Sequence, residues 1–292
     1  MLFRSIFISI LFVLSAGLHA QIRLDSLAAV GAKTLGEPAY ADRKQALEQF
    51  TKMLKTFVAS DTGFSHPLKE VGNVLRLPLG DDAAIYTWQV PDSSFNYQRY
   101  GLVAARVKDE IVLTELEASQ LPGAEFMRLK PENWYGAIYY EAIPVEKGRD
   151  EYYTLLGLTM GQDLNRKVID VIEIDRKGRP RFGAKIFRVQ EWQDRTFQRA
   201  PMRLILQYSP DISASVKWNE DEEMIVMDHL SPPDENLKGI YQQYGPDMSY
   251  DALEWEDDWW QLTEEVKFNT RQNIPIIPPD KPTDLPPKSG GN

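Results

Sequence analysis

The chain has 292 residues, with 33 Lys and Arg against 43 Asp and Glu, a formal charge of −10 at pH 7, and no cysteine. That acidity argues against non-specific binding to nucleic acid or anionic lipid. The lack of cysteine excludes disulfides, a lipid-anchored lipoprotein and any Cys/His zinc site.

Residues 1–20 read as a secretory signal peptide. Arg4 gives a short positive start, Ile6 to Leu14 an apolar run broken by Ser9, and Ser15 to Ala20 a mostly small-residue stretch. Cleavage is expected after Ala20, with Gly17 as the alternative. The apolar run is too short for a spanning helix, which needs about 20 apolar residues, and no later stretch reaches that length. Cleavage removes Arg4 and no acid, so the mature charge becomes about −11, and only His66 and His229 remain as histidines. The mature chain is therefore expected to be soluble, periplasmic or secreted, and stable through its core alone.

Residues 21–70 form an N-terminal segment with one predicted element, an amphipathic helix over 42–60. Ala46, Leu47, Phe50, Met53, Leu54, Phe57 and Val58 recur at helical spacing, with Asp42 as N-cap and Asp61-Thr-Gly63 as stop. From residue 71 to 268 the pattern is β. Strands are expected at Asn73–Leu79, Ala83–Val90, Tyr97–Val107 and Glu110–Leu116. Pro122 to Asn133 interrupts with room for a short helix. Strands resume at Trp134–Val145, Tyr152–Thr159, Lys167–Ile174, Phe182–Val189, Arg203–Tyr208, Ala214–Trp218 and Met224–Asp228. Shorter ones follow near Gly239–Tyr244, Ala252–Trp255 and Trp259–Thr263. The connections are too short for crossover helices, so the fold class is mainly β: a large antiparallel assembly, as a sandwich, a barrel or a propeller-like array. Residues 269–292 are proline-rich and read as a flexible tail.

Three stretches occur together: Tyr86-Thr-Trp-Gln-Val90; Tyr152-Tyr-Thr-Leu-Leu-Gly157 leading to Phe182-Gly-Ala-Lys-Ile-Phe187; and Met227-Asp-His-Leu-Ser-Pro-Pro233 through Tyr244-Gly-Pro-Asp-Met-Ser-Tyr-Asp251. The combination resembles an uncharacterised family of exported β-rich proteins from Bacteroidota. The resemblance spans roughly residues 70–265 and implies export and a β-rich fold, with no catalytic residue to carry across.

Three groups of residues carry candidate chemistry. Asp247, Ser249 and Asp251 follow the Gly245-Pro246 turn at alternating positions, a spacing that can aim three oxygens at calcium. The loop lacks the glycine and the bidentate Glu of a full calcium loop, having Ala252 and Asp258 there. The alternative is a structural turn, with Met248 and Tyr250 as strand or core residues. Asp228 and His229 place a carboxylate beside an imidazole, as a general base requires, although neighbours in a strand face opposite ways. The bland reading has His229 ending a strand and bonded to a loop. Ser231 lies nearby without a nucleophile elbow. Trp255, Trp259 and Trp260, beside Glu256-Asp-Asp258, could hold a sugar by stacking and hydrogen bonding if they are exposed; the alternative places them in the core.

The leading expectation is an exported binding or structural protein of the cell envelope, with an envelope glycan or protein as partner. The alternative is an exported carboxylate-dependent glycan hydrolase, which needs acids converging in one cleft with a raised pKa.

Overall fold

The computed structural model describes residues 24–94 and 96–266. The expected signal peptide and proline-rich tail lie outside the described residues. The chain is mainly β, as the periodicity predicts, with helices at the N-terminal end and, among the described residues, no closed barrel.

Among the described residues three helices precede the strands: α1 (residues 24–36), α2 (Tyr40–Val58) and α3 (Asp61–Ser65). The predicted helix is α2, which buries Ala46, Leu47, Phe50, Leu54, Phe57 and Val58 along one stripe. It starts earlier than expected, so Asp42 lies in its first turn and Ala39, with no side-chain cap, occupies the N-cap. Arg43 fastens that end, donating to the carbonyls of Glu37, Pro38, Pro91 and Asp92. The expectation of a single helix is corrected by α1. Its buried positions are Leu24, Leu27, Gly31 and Thr34, so two of the four lack the apolar bulk that reveals a stripe. Gly31 lets the helix pass close to Asn73: an added Cβ would lie 2.4 Å from Asn73 Oδ1 and force that side chain to shift.

Strands β1 (Val74–Leu79), β2 (Ala83–Pro91), β3 (Tyr97–Val107) and β4 (Glu110–Glu117) form an antiparallel meander, the first sheet. Two 3-10 turns, Ala124–Phe126 and Pro131–Asn133, fill the predicted interruption. The middle sheet then takes β5 (Ile138–Lys147), β6 (Asp150–Thr159) and β7 (Asn165–Ile174), with β8 (Pro180–Phe182) and β12 (Leu204–Tyr208) both paired to β7. The last sheet has the order β13 (Val216–Asn219), β14 (Met224–Ser231), β15 (Gly245–Glu256), β16 (Trp259–Thr263), β9 (Phe187–Arg188). A small hairpin, β10 (Glu191–Trp192) and β11 (Arg195–Thr196), stands apart. Among the described residues every pairing of these strands is antiparallel except β9 with β16.

Two strand expectations are corrected. Phe182–Val189 is not one strand: the chain turns at Gly183 (φ 87°) and passes from the middle sheet, at β8, to the last sheet, at β9. Gly239–Tyr244 holds a 3-10 turn, Tyr241–Gln243, closed by the Gly239 amide donating to the Tyr244 hydroxyl.

The helices and the sheets share three buried cores in series, a layered arrangement. One core joins the helices to the first sheet, through Phe50, Leu54, Tyr86, Trp88 and Leu102. A second lies between the first and middle sheets, with Ile85, Val103, Trp134, Leu155 and Ile172. A third lies between the middle and last sheets, with Leu156, Ile169, Leu204, Ile225 and Trp260. Alternate residues of β7 enter different cores: Val168 and Ile172 one way, Ile169 and Val171 the other. The middle sheet is thus covered on both faces, so both alternating sets of β7 side chains are buried.

Candidate functional site

The groove with the most suitable chemistry opens where the middle and last sheets part, between their outer strands β5 and β13. It encloses about 480 Å3 and is lined by Ile143 and Val145 from β5, by Trp218, Trp255 and Trp260 from the last sheet, and by carboxylates. Trp260 is fully buried, and its indole N–H donates to the Thr154 hydroxyl at 2.8 Å. It is a core residue, so its place among ligand-contacting tryptophans is corrected. It props two half-buried indoles edge-on: Trp255 at 5.3 Å and Trp218 at 6.3 Å between ring centroids. Trp259, across the hairpin, lies outside the groove. The Lys147 ammonium stands 3.0 Å from its ring centroid, so one face is covered. Asp257 and Asp258, both at positive φ, form the solvated hairpin turn between the two strands, and Glu256 is the exposed last residue of β15.

Three acids edge the groove: Glu141, Glu220 and Glu223. The bulge between Tyr139 and Glu141 re-aims this part of β5. Tyr140 turns into the core below and donates to the Val216 carbonyl at 2.8 Å, tying β5 to β13. Glu220 and Glu223 sit on the β13–β14 turn, which Asn219 organises by accepting from the amides of Asp221 and Glu222. Burial pushes the Glu141 carboxyl above the usual range, and the negative charge of Glu220 pushes it further. Two carboxylates therefore act on one another beside aromatic rings.

A second, more polar cavity of about 480 Å3 is bounded by the β10–β11 hairpin, the end of β14 and Glu264. Here the predicted partners of His229 are rearranged. Asp228 turns away and accepts from the Ser215 amide at 2.7 Å. A register shift between Asp228 and Leu230 leaves His229 inside β14, where its Nδ1 meets Asp251 Oδ2 at 2.8 Å. The partner belongs to β15, so the loop bond expected for His229 is corrected too. The Asp251 hydrogen bond outweighs the opposing effect of burial and raises the His229 pKa to about 9. At neutral pH the ring is an imidazolium, a cation and an acid rather than a general base. Ser231 donates to Asp247 at 3.2 Å, so its hydroxyl is committed elsewhere and no nucleophilic triad forms.

The oxygens of the proposed calcium loop also have protein partners. Asp247 Oδ1 accepts from the Ser249 hydroxyl and amide at 2.7 and 3.0 Å. These bonds overcome the effect of burial and hold the Asp247 carboxyl below its usual range. Asp251 Oδ1 accepts from the Glu265 amide at 3.3 Å. No group of three or more His, Cys, Asp or Glu side chains is arranged for a metal among the described residues. Met248 and Tyr250 lie in β15 as expected, but they are not core: Met248 is 93% exposed, with φ 77°. His66 accepts from the Leu68 amide through Nδ1 and packs edge-on against Phe57.

No family model matches this chain. Nor does any curated protein or solved structure.

Sequence reasoning missed Glu141, Glu220 and Glu223 as site residues, and it missed a buried charge pair. Arg203 and Asp170, both fully buried, meet at 2.9 Å, and Asp170 also accepts from the Tyr139 hydroxyl at 2.8 Å. The same guanidinium donates to the carbonyls of Ala124 and Met127, pinning the long connection after β4. The signal was a lone acid inside Val168-Ile-Asp-Val-Ile172. An acid buried in such a run requires a partner. Glu141, inside Tyr139-Tyr-Glu-Ala-Ile143, carried the same kind of signal.

Proposed function

We propose that the protein is an exported glycan-binding protein that holds a neutral sugar chain in the groove between β5 and β13. One observation carries the reading: half-buried Trp218 and Trp255 stand beside Glu141, Glu220 and Glu223 in a single groove. Indole faces stack on the C–H faces of sugars, and carboxylates accept hydrogen bonds from ring hydroxyls. Three acids at the rim repel carboxylated or sulfated chains, so a neutral ligand fits best. The volume lies within the range of small-ligand sites. Export is supported by the pattern of residues 1–20.

A broad glycan array probed with residues 21–292 tests this. Binding to neutral oligosaccharides that Trp255→Ala abolishes is expected. Binding to no glycan, or binding that survives Trp255→Ala, contradicts it.

The raised pKa of Glu141 favours a second reading, glycoside hydrolysis, with Glu141 as proton donor and Glu220 as the paired carboxylate. It predicts that glycans bound on the array release reducing ends with time and that Glu141→Gln stops the release without preventing binding. Binding without turnover leaves the groove a binding site.

A further inference from the structure

A different cavity, of about 340 Å3, opens beside β9 at the edge of the last sheet. Its lining contains two charged side chains, Arg188 and Arg199, and no acid. In a chain of net charge −10 this is a local reversal of sign. Neither arginine forms an ion pair among the described residues. Each is held over an aromatic ring instead: Arg188 at 5.3 Å from the centroid of Trp259, and Arg199 at 4.8 Å from that of Phe126. Lys147 adds a third cation, on the Trp259 ring. Asp258 acts on Lys147 but does not line the cavity.

Stacking orients a guanidinium without consuming its N–H donors. Two such groups in one concavity leave forked donors that match the oxygens of a carboxylate or sulfate. The remaining lining suits a hydroxylated ring, since Gln190 and Gln198 bring amides and Phe197 a half-buried aromatic surface. We propose that this cavity binds an acidic sugar, with Arg188 and Arg199 on its carboxylate or sulfate and the two glutamines on its hydroxyls. The site is independent of the groove and opposite to it in charge preference: the acids of the groove repel the group that these arginines attract.

Calorimetric titration of the protein with glucuronate, a sulfated glucose, glucose and inorganic sulfate tests the assignment. The two acidic sugars should bind, more weakly as salt is added, and glucose should not. Arg188→Gln and Arg199→Gln should each weaken binding by about tenfold. Both side chains are exposed, so an unchanged melting temperature separates lost binding from lost folding. Trp255→Ala, in the groove, should leave the acidic-sugar titration unchanged. Inorganic sulfate binding as tightly as the sugars would make this a free-anion site and overturn the sugar assignment. Absence of binding by both acidic sugars, or binding that survives in the double glutamine variant, overturns the proposal.

Discussion

His229 shows how one neighbour decides a residue's chemistry. Its pKa of about 9 in the folded chain lies above its ordinary 6.5. The His229–Asp251 pair therefore contributes stability in full below pH 6.5, and that contribution is lost as pH rises through about 9. NMR titration of the ring should give a midpoint near 9 that falls toward 6.5 in Asp251→Asn. A midpoint already at the ordinary value in the wild type would remove the argument against a general base. Asp170 makes the complementary case in the core. Asp170→Asn leaves the Arg203 charge buried without its counter-ion, and removing one partner of such a pair costs about 3–5 kcal/mol. Urea unfolding should show a loss of that size with an unchanged m-value. A loss below about 1 kcal/mol would mean that the pair is exposed to water.

At the scale of elements, the legible parts were those in which the chain's own pattern is sufficient. Tyr97–Val107 and Trp259–Thr263 occur with the predicted bounds because turn residues flank clear β runs. The strand character of β7 was also plain, although the charge pair buried at its centre was not. α1 stayed hidden because Gly31 and Thr34 occupy its inward positions, and their packing depends on Asn73, far along the chain. The site was harder still. Glu141 meets Glu220 only because a bulge re-aims β5 and a turn in another sheet approaches it. No local spacing records such a meeting. The helices themselves make a simple prediction. Phe50 is fully buried between α2 and the first sheet, edge-on to Trp88 at 5.8 Å. Phe50→Ala should cost about 3–5 kcal/mol of unfolding free energy in a denaturant titration. It should leave ligand binding in the groove intact, because the groove is formed by the middle and last sheets.

Over the whole molecule, the stacking separates support from recognition. The first sheet, backed by the helices, covers one face of the middle sheet, and the last sheet covers the other. Both concave sites with coherent chemistry lie at margins of the last sheet, one at β13 and one at β9. Edges suit recognition because side chains there keep access to water while the sheets behind them hold their backbones fixed. The acidic composition in the sequence was informative about the average surface but not about its local reversal around Arg188 and Arg199.

The most direct test of the groove is calorimetric titration of the tightest neutral oligosaccharide from the array into wild type, Trp218→Ala, Trp255→Ala and Trp259→Ala. The account predicts that the first two variants lose binding while Trp259→Ala, outside the groove, retains it. Loss of binding only in Trp259→Ala, or undiminished binding in all three, would contradict it.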